Sequence, residues 1–207
     1  MTQSFRHEVL QDVSRETMEQ LDVYAEVLKK WNRRINLVSP ASMEHLWTRH
    51  IADSVQIYDL APSDFTHWAD LGSGGGFPGL VVAILAQSRN PTAKITLVES
   101  DARKAAFLRA VLRETGALAA VVNDRIERLP PLNASVISAR ALSDLSDLLA
   151  FADLHMAQGG AALFPKGERW KKELAPARDR WSFSLESHTS KTDPFAVILQ
   201  IGALTHV

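Results

Sequence analysis

The chain contains no cysteine among its 207 residues, which excludes disulfides and thiolate metal sites and leads us to expect a reducing, cytoplasmic compartment. It also lacks a long hydrophobic run. The longest, residues 80–86, is far below the roughly 20 apolar residues that a membrane span requires. The start of the chain has no apolar core typical of a signal peptide, so we expect no membrane association.

An excess of charge of either sign is missing too, because 23 basic side chains stand against 24 acidic ones. The basic residues nevertheless cluster in three segments, at 29–50, 101–113 and 166–180, with acidic stretches between them. Each segment, taken alone, is typical of a solvated helix face, but together they could form one surface for a polyanion. The seven histidines lack metal-ligand spacing, and we expect no metal site.

The chain does contain a regular alternation of helices and strands. Helical periodicity over residues 15–34 and 42–58 predicts two amphipathic helices before the first strand. Five strand-like segments then alternate with helices, and two extended segments close the chain as an antiparallel pair. We predict an α/β fold with a mixed, mostly parallel sheet, in which residues 1–64 form a helical cap and residues 65–207 form the core of a single structural unit. The predicted strands are 68–71, 94–99, 119–123, 134–138, 160–164, 182–187 and 195–201.

A glycine-rich loop follows the first strand, within the stretch HWADLGSGGGFPG at 67–79. Gly72, Gly74 and Gly76 alternate there, so that backbone N–H groups can approach a ligand with no Cβ in the way. A glycine-rich loop of this kind can also be a simple turn that binds no ligand. The preceding Asp70, and Glu99 on the second strand, indicate a site for a nucleoside cofactor.

The spacing of Gly74, Gly76 and Gly79 also fits the dinucleotide fingerprint. Two residues argue against a nicotinamide enzyme: Asp70 stands where that strand is usually apolar, and Pro78 has no N–H for a pyrophosphate. The order acidic-x-G-x-G-x-G instead resembles the first motif of class I S-adenosylmethionine (SAM) methyltransferases. That resemblance implies that the loop cups the methionine end of SAM, with Asp70 able to pair with its ammonium group directly or through water.

Other polar candidates follow the remaining parallel strands, where ligands of such sheets bind. Glu99 ends the second strand, and a carboxylate there can accept hydrogen bonds from both ribose hydroxyls. Residues 124–127 follow the third strand, Arg140 the fourth and Lys166 the fifth. Each has an ordinary structural alternative, but their convergence on one edge of the sheet favours a binding site.

Taken together, these motifs resemble the bacterial small-subunit rRNA guanine-N7 methyltransferase family, known as RsmG or glucose-inhibited division protein B. The GFPG end of the glycine loop, joined to the upstream motif RHxxDS at 49–54, is specific to that family. The resemblance covers most of the chain beyond the extreme N-terminus. Further matching motifs are Trp31-Asn32, Asn36-Leu37, Glu99 with Lys104, Arg125-Ile126-Glu127, Ser138 with Arg140-Ala141, and Lys166-Gly167.

The resemblance implies a Rossmann-like class I fold, SAM as cofactor, and methyl transfer to N7 of one guanine in a hairpin loop of 16S rRNA in the small ribosomal subunit. It implies that Ile126 and Glu127 contact the adenine end, largely through backbone, and that Arg140 closes the pocket. Phe77 departs mildly from the family, where Leu is frequent. The expected cofactor residues are Asp70, Gly72, Ser73, Gly74, Gly76, Phe77, Glu99, Ile126, Glu127 and Arg140.

No catalytic residue is expected, because N7 of guanine carries a lone pair and no proton, so that attack on the SAM methyl needs positioning but no general base. For Asn36, His50 and Asp53 a structural role is an equal alternative to contact with RNA. The candidates for holding the RNA are Asn36, His50, Asp53, Lys166, Arg33, Arg34 and Lys171.

Three other functions fit parts of the pattern. The chain could be a SAM methyltransferase acting on a small molecule or a protein, in which case the basic segments should point apart. It could be a non-catalytic RNA-binding module that retains the fold. A dinucleotide oxidoreductase is the weakest alternative, since the chain has no room for a substrate domain.

Overall fold

Helix α1 (Arg15–Asn32) opens the computed structural model, which describes residue 10 and residues 13–207. The helix begins after Ser14, whose hydroxyl oxygen accepts a hydrogen bond from the backbone N–H of Thr17 at 3.2 Å. This is the predicted cap, and it satisfies one of the free N–H groups of the first turn. The helix ends two residues earlier than expected, and its buried residues lie on one face as the periodicity predicted.

The second predicted helix, 42–58, is present but is not one regular α-helix. Helix α2 (Pro40–Glu44) carries its proline in the first turn, as expected. A π-helical segment (Leu46–Ala52) follows, and then helix α3 (Asp53–Asp59). The prediction of a single helix was wrong because residues 42–58 contain neither glycine nor proline to signal a change of hydrogen bonding. Short π-helical segments are frequent near functional sites, and this one carries His50.

The seven strands of the described residues form one sheet in the order β3-β2-β1-β4-β5-β7-β6. The first five strands are parallel, and β7 runs antiparallel between β5 and β6. This confirms the predicted mixed sheet. The strands are β1 (His67–Leu71), β2 (Lys94–Val98), β3 (Ala120–Val122), β4 (Ala134–Ser138), β5 (Met156–Lys166), β6 (Trp181–Thr189) and β7 (Val197–His206).

The strand order reverses at β1, which has β2 on one side and β4 on the other. In open α/β sheets the crevice outside the strand ends at such a reversal is the usual ligand site. The connecting helices cover both faces of the sheet. They are α4 (Gly79–Arg89), α5 (Ala102–Thr115), α6 (Leu145–His155) and α7 (Trp170–Arg178), together with a 3₁₀ turn at Ile126–Arg128.

The last three strands are longer than predicted. Strand β5 covers 11 residues instead of the expected 160–164, and β7 covers 10 residues. The outer parts of β6 and β7 carry several exposed side chains and are paired with each other in an antiparallel ladder. Apolar patterning marks only the buried part of a strand, so the sequence underestimates such ladders.

The helical cap shares its hydrophobic core with the sheet. One cluster of buried residues joins Leu21, Tyr24 and Ile51 of the cap to Trp68 on β1 and Phe107 on α5. A second cluster fills the opposite face, under α6, α7 and the closing strands. The cap therefore packs directly behind the strand ends where the ligand site is expected.

Candidate functional site

The glycine loop contains two different kinds of glycine. Gly74 and Gly76 both have positive φ, at 53° and 89°. A side chain at Gly76 would collide with Leu80, whereas a Cβ at Gly74 would meet nothing closer than Gly72 O at 3.7 Å. Gly76 is thus required for packing, and Gly74 faces open space. The N–H of Gly76 closes the loop by donating to Ser73 O at 2.6 Å.

Asp70 fastens this loop from inside. Its Oδ2 accepts from the N–H of Gly79 at 3.2 Å, at the start of α4, and its Oδ1 accepts from the Ser138 hydroxyl at 2.7 Å. Ser138 Oγ in turn accepts from Trp68 Nε1 at 2.8 Å. Only 1% of Asp70 is exposed, and burial raises its pKa to about 6 against the opposing effect of these hydrogen bonds. The carboxylate is turned into the interior, so the geometry does not support the expected direct pairing with an ammonium group.

We expect Asp70→Asn to change the pH dependence of stability. Because the folded state binds the Asp70 proton more tightly than the unfolded state, the stabilising contribution is complete below about pH 4 and is lost as the pH rises through about 6. The shift of the pKa from 3.8 to about 6 corresponds to roughly 3 kcal/mol. An amide can still accept from Gly79 and donate to Ser138, without a charge to desolvate.

Urea unfolding of both proteins from pH 4 to pH 8 measures this effect. The free energy of unfolding of the variant should rise relative to the wild type between about pH 4 and pH 7. Histidines whose pKa is lowered by burial, such as His155, titrate in both proteins and cancel in the difference. Parallel pH curves for the two proteins would show that Asp70 ionises freely in the fold.

A cavity of about 550 Å³ lies at the strand ends beside the glycine loop. Its volume is in the range of pockets that hold small ligands. Eight of the ten expected cofactor residues line it, and Asp70 and Gly76 do not. The eight are Gly72, Ser73, Gly74, Phe77, Glu99, Ile126, Glu127 and Arg140.

Glu99 connects the glycine loop to the end of β2. Its Oε2 accepts from the N–H of Gly74 at 2.8 Å, and its Oε1 accepts from the N–H of Asp101 at 2.8 Å. Only 6% of the residue is exposed, on the wall of the cavity. Each carboxylate oxygen can accept a second hydrogen bond, so Glu99 can still accept from ribose hydroxyls. The predicted role of Glu99 is therefore compatible with a second role, which is to fix the position of Gly74.

The N-terminal segment contributes to the cavity through Leu37 and Val38, which no sequence motif predicted to lie there. Asn32 holds this segment: its Oδ1 accepts from Leu37 N at 2.9 Å and from Val38 N at 3.1 Å, and its Nδ2 donates to Val38 O at 3.1 Å. The motifs Trp31-Asn32 and Asn36-Leu37 were the available signal. They marked the family but gave no reason to place two aliphatic side chains in a binding site.

The opposite wall comes from the connection between β4 and α6, which was also missed beyond Arg140. Leu142 and Ser143 of this connection line the cavity, and so do Asp147 and Phe151 of α6. Ala141, in the same connection, has a positive φ of 51°, which is uncommon for a residue other than glycine. Polar residues directly after the fourth strand were the only sequence signal for this wall.

Arg140, in the wall of the cavity, packs against two stacked rings. Its guanidinium lies 5.1 Å from the ring centre of Phe77, which stacks on His50 with centroids 4.8 Å apart. Nη2 of Arg140 donates to His50 Nδ1, and Nη1 donates to Arg49 O at 3.2 Å. Burial, reinforced by Arg140, lowers the pKa of His50 to about 3, so the ring is neutral and accepts. His50 therefore orients Arg140, which supports the structural alternative over contact with RNA.

Two more of the expected RNA contacts have internal partners. Asp53 accepts from Ser190 Oγ at 3.0 Å and from Thr192 Oγ1, which ties α3 to the β6–β7 connection. Lys166 Nζ donates to Ser143 O at 2.9 Å and pairs with Glu173 Oε2 at 2.7 Å. These geometries favour structural roles for both residues. Exposed side chains remain at Asn36, Arg33, Arg34 and Lys171.

The part of the chain that the structure describes holds no group of three or more histidine or acidic side chains placed to bind a metal ion. None of its helices is both long and apolar enough to cross a bilayer.

A family model described as rRNA small subunit methyltransferase G matches residues 17–194. A ribosomal RNA small subunit methyltransferase G from a Ruegeria species is 56% identical over 196 residues, which is 95% of either chain. The protein of the same name from Ruegeria pomeroyi is 55% identical over 196 residues, covering 95% of this chain and 96% of its own. A methyltransferase structure from Geobacter sulfurreducens aligns with a TM-score of 0.57 over 98% of this chain and 97% of its own, at 11% identity, and so supports the fold alone. The fold is that of the class I SAM methyltransferases, and the chain belongs to the rRNA small subunit methyltransferase G family.

Proposed function

We propose that this protein transfers a methyl group from SAM to N7 of one guanine in small-subunit (16S) rRNA. The observation that carries the proposal is the cavity of about 550 Å³ at the strand reversal, which is lined by the Gly74 loop, Glu99 and the Ile126 turn. The names of the relatives, which share about half of the sequence, supply the substrate class. A substrate of this kind would place the enzyme in the cytoplasm.

The residues of the cavity fit the parts of SAM in the order of the strands. The loop at Gly72 to Gly74 would receive the methionine end, where backbone approach must be close. Glu99 would accept from the ribose hydroxyls, and residues 126–127 would border the adenine. When bound, SAM supplies a methyl group that is activated by its sulfonium.

The contribution of the protein to the reaction is positioning. N7 of guanine needs no deprotonation, so the transfer requires no general base. His50 could not serve well as one, because burial lowers its pKa to about 3 and its Nδ1 accepts from Arg140. Leu37, Val38 and Phe77 exclude water from the site of transfer. Because N7 lies in the deep major groove of A-form RNA, the guanine must be unpaired or splayed out to reach the cavity.

Replacement of the target atom tests the specificity for N7. We expect methyl transfer from SAM to a small-subunit rRNA fragment to stop when the target guanosine is replaced by 7-deazaguanosine, which has C–H in place of N7. An RNA with the same replacement at a neighbouring guanosine is the matched control and should be methylated normally. Continued transfer to the 7-deaza RNA would mean that another atom of the base is the acceptor.

We further propose that residues 1–64 act as the RNA-facing cap on the catalytic unit 65–207. Two of the three basic segments support this role. Lys30, Arg33 and Arg34 of the first and Arg103 of the second border the same cleft beside the cofactor cavity. Basic segments that converge in this way favour an RNA substrate over a small molecule or protein substrate.

The third basic segment yields a separate prediction at Lys171 and Lys172, which are exposed on α7. We expect the double variant Lys171→Ala/Lys172→Ala to bind rRNA more weakly, with a salt slope lower by about 1.4, since each lost contact with single-stranded RNA removes about 0.7. SAM affinity should not change. Binding assays across a salt series measure the slope, and an unchanged slope would make these lysines an ordinary solvated helix face.

A further inference from the structure

A second cleft, of about 590 Å³, lies between the end of α1 and the start of α5. Its apolar wall consists of Trp31, Ile35 and Ala106. Trp31 packs edge-on against the buried ring of Phe107, with ring centroids 5.9 Å apart. The indole is only half-buried, so its position is fixed while part of it remains accessible.

The rim of this cleft is positive. It is formed by Lys30, Arg33, Arg34 and Arg103, and none of the acidic residues that the structure describes lines the cleft. Arg103 forms an exposed ion pair with Asp101 at 3.2 Å. Exposed pairs of this kind are weak, so the guanidinium can still contact a phosphate. Arg33 and Arg34 form no ion pair with any residue that the structure describes.

The cleft lies next to the cofactor cavity, although none of the described residues lines both. Ile35 lines the cleft and Leu37 lines the cavity. Likewise, Arg103 lines the cleft and the next residue, Lys104, lines the cavity. Consecutive Cα atoms are about 3.8 Å apart, so the two openings are neighbours on one surface. Asn32 holds the segment between them through its three hydrogen bonds to Leu37 and Val38.

We propose that this cleft binds one unpaired nucleotide of the RNA substrate that flanks the target guanine, with its base against Trp31 and its phosphates on the cationic rim. An aromatic platform within a positively charged groove is the arrangement that single-stranded nucleic acid requires. An apolar peptide would bring no negative charge to the cationic rim, and an acidic peptide would make no use of the indole face. The inference rests on the proposed function and extends it to a second subsite.

The charge on the rim is tested with the variant Arg33→Gln/Arg34→Gln. The matched control is Arg15→Gln/Arg113→Gln, which removes two exposed arginines from the far ends of α1 and α5, the two helices that border the cleft. Neither arginine lines the cleft, although Arg113 belongs to the second basic segment. Those ends are adjacent, because Gln20 Nε2 donates to Thr115 O at 3.0 Å. The probe is a small-subunit rRNA hairpin that contains the guanine methylated by the wild-type protein.

We expect the rim variant to bind this hairpin roughly tenfold more weakly at about 0.1 M salt, with a salt slope lower by about 1.4. Affinity for S-adenosylhomocysteine should be unchanged in both variants, and the control should bind RNA as the wild type does. Equal RNA affinity of the rim and control variants would overturn the proposal.

The base contact is tested by removing one base at a time from the hairpin loop while keeping its phosphate. Loss of the base that occupies the cleft should weaken binding to the wild type about fivefold or more, and should have little further effect on Trp31→Leu. Should the leucine variant fail to fold, Trp31→Phe keeps a ring against Phe107 and should show a smaller loss at the same nucleotide.

Two results would overturn the inference alone while methylation by the wild type stands. One is an abasic scan in which no position depends on Trp31. The other is normal binding of naked RNA by the cleft variants together with poor methylation of assembled small subunits, which would make the cleft a docking site for a ribosomal protein. A wild-type protein that methylates no small-subunit rRNA would instead contradict the proposed function, and this inference with it.

Discussion

The variant Gly74→Val should lose affinity for SAM and S-adenosylhomocysteine by at least about 100-fold while the protein stays folded. The space around Gly74 admits a side chain, since the nearest atom to its Cβ would be Gly72 O at 3.7 Å. The fold therefore does not forbid the substitution by collision. Two local effects remove binding: the side chain enters the wall of the cavity, and a β-branched residue resists the φ of 53° at a cost of about 1–2 kcal/mol.

Calorimetry with S-adenosylhomocysteine measures the loss. Gly116→Val is the matched control, because Gly116 has a similar φ of 71° and no heavy atom within 4 Å of its Cβ position, but it ends α5 outside the cavity. The control should lose a similar amount of stability and keep its affinity. Gly76→Val should behave differently from both and unfold, since its side chain would collide with Leu80. A folded Gly74→Val protein with normal affinity would contradict the assignment of the loop.

The variant Glu99→Ala should weaken SAM binding more than tenfold without affecting RNA binding. The substitution removes the acceptors for the N–H groups of Gly74 and Asp101, and it removes the acceptor proposed for the ribose. A hydrogen bond to a charged group contributes roughly 1.5–3 kcal/mol, which is a factor of about ten or more in affinity. The loss of the bond to Gly74 also frees the loop, so the effect should exceed that of the ribose contact alone.

Glu127→Ala is the matched control for this experiment. Its side chain also borders the cavity but is exposed, and the expected adenine contact there runs through the backbone. SAM affinity of this variant should stay close to that of the wild type. Glu99→Gln should lie between the two, because its single acceptor oxygen can serve only one of the two N–H groups. A Glu99→Ala protein that loses RNA affinity but not SAM affinity would remove Glu99 from the cofactor site.

The sheet was predictable because it depends on order along the chain. Alternating strands and helices fix a parallel sheet, and the apolar segments of β1, β2 and β4 are buried almost throughout. The π-helical segment at Leu46–Ala52 was not predictable, because its altered hydrogen bonding comes from packing and not from a local glycine or proline. The extended ends of β6 and β7 were missed for a similar reason, since the ladder between strands carries no hydrophobic pattern.

Among the site residues, too, positions that follow from the order of the strands were predictable and side-chain orientations were not. Gly74, Glu99 and Ile126 were predicted to lie together because residues at strand ends meet at one edge of the sheet, and all three line the cavity. The orientation of a polar side chain is a different matter, since it is decided by partners far away in the chain. Asp70 turns to Ser138, and Asp53 turns to Ser190, across 68 and 137 positions of sequence. No pattern local to either acid indicates those partners.

The most direct test of the proposed activity is incubation of the protein with tritiated SAM and small ribosomal subunits from cells that lack the native enzyme, followed by mapping of the labelled base. We predict label in the rRNA, on a single guanine, in a form that identifies N7-methylguanosine. Subunits from cells that contain the native enzyme should accept almost no label, because that position is already methylated. Label in a ribosomal protein, label on another atom or base, or no transfer to unmethylated subunits by a protein that binds SAM would contradict the proposed activity.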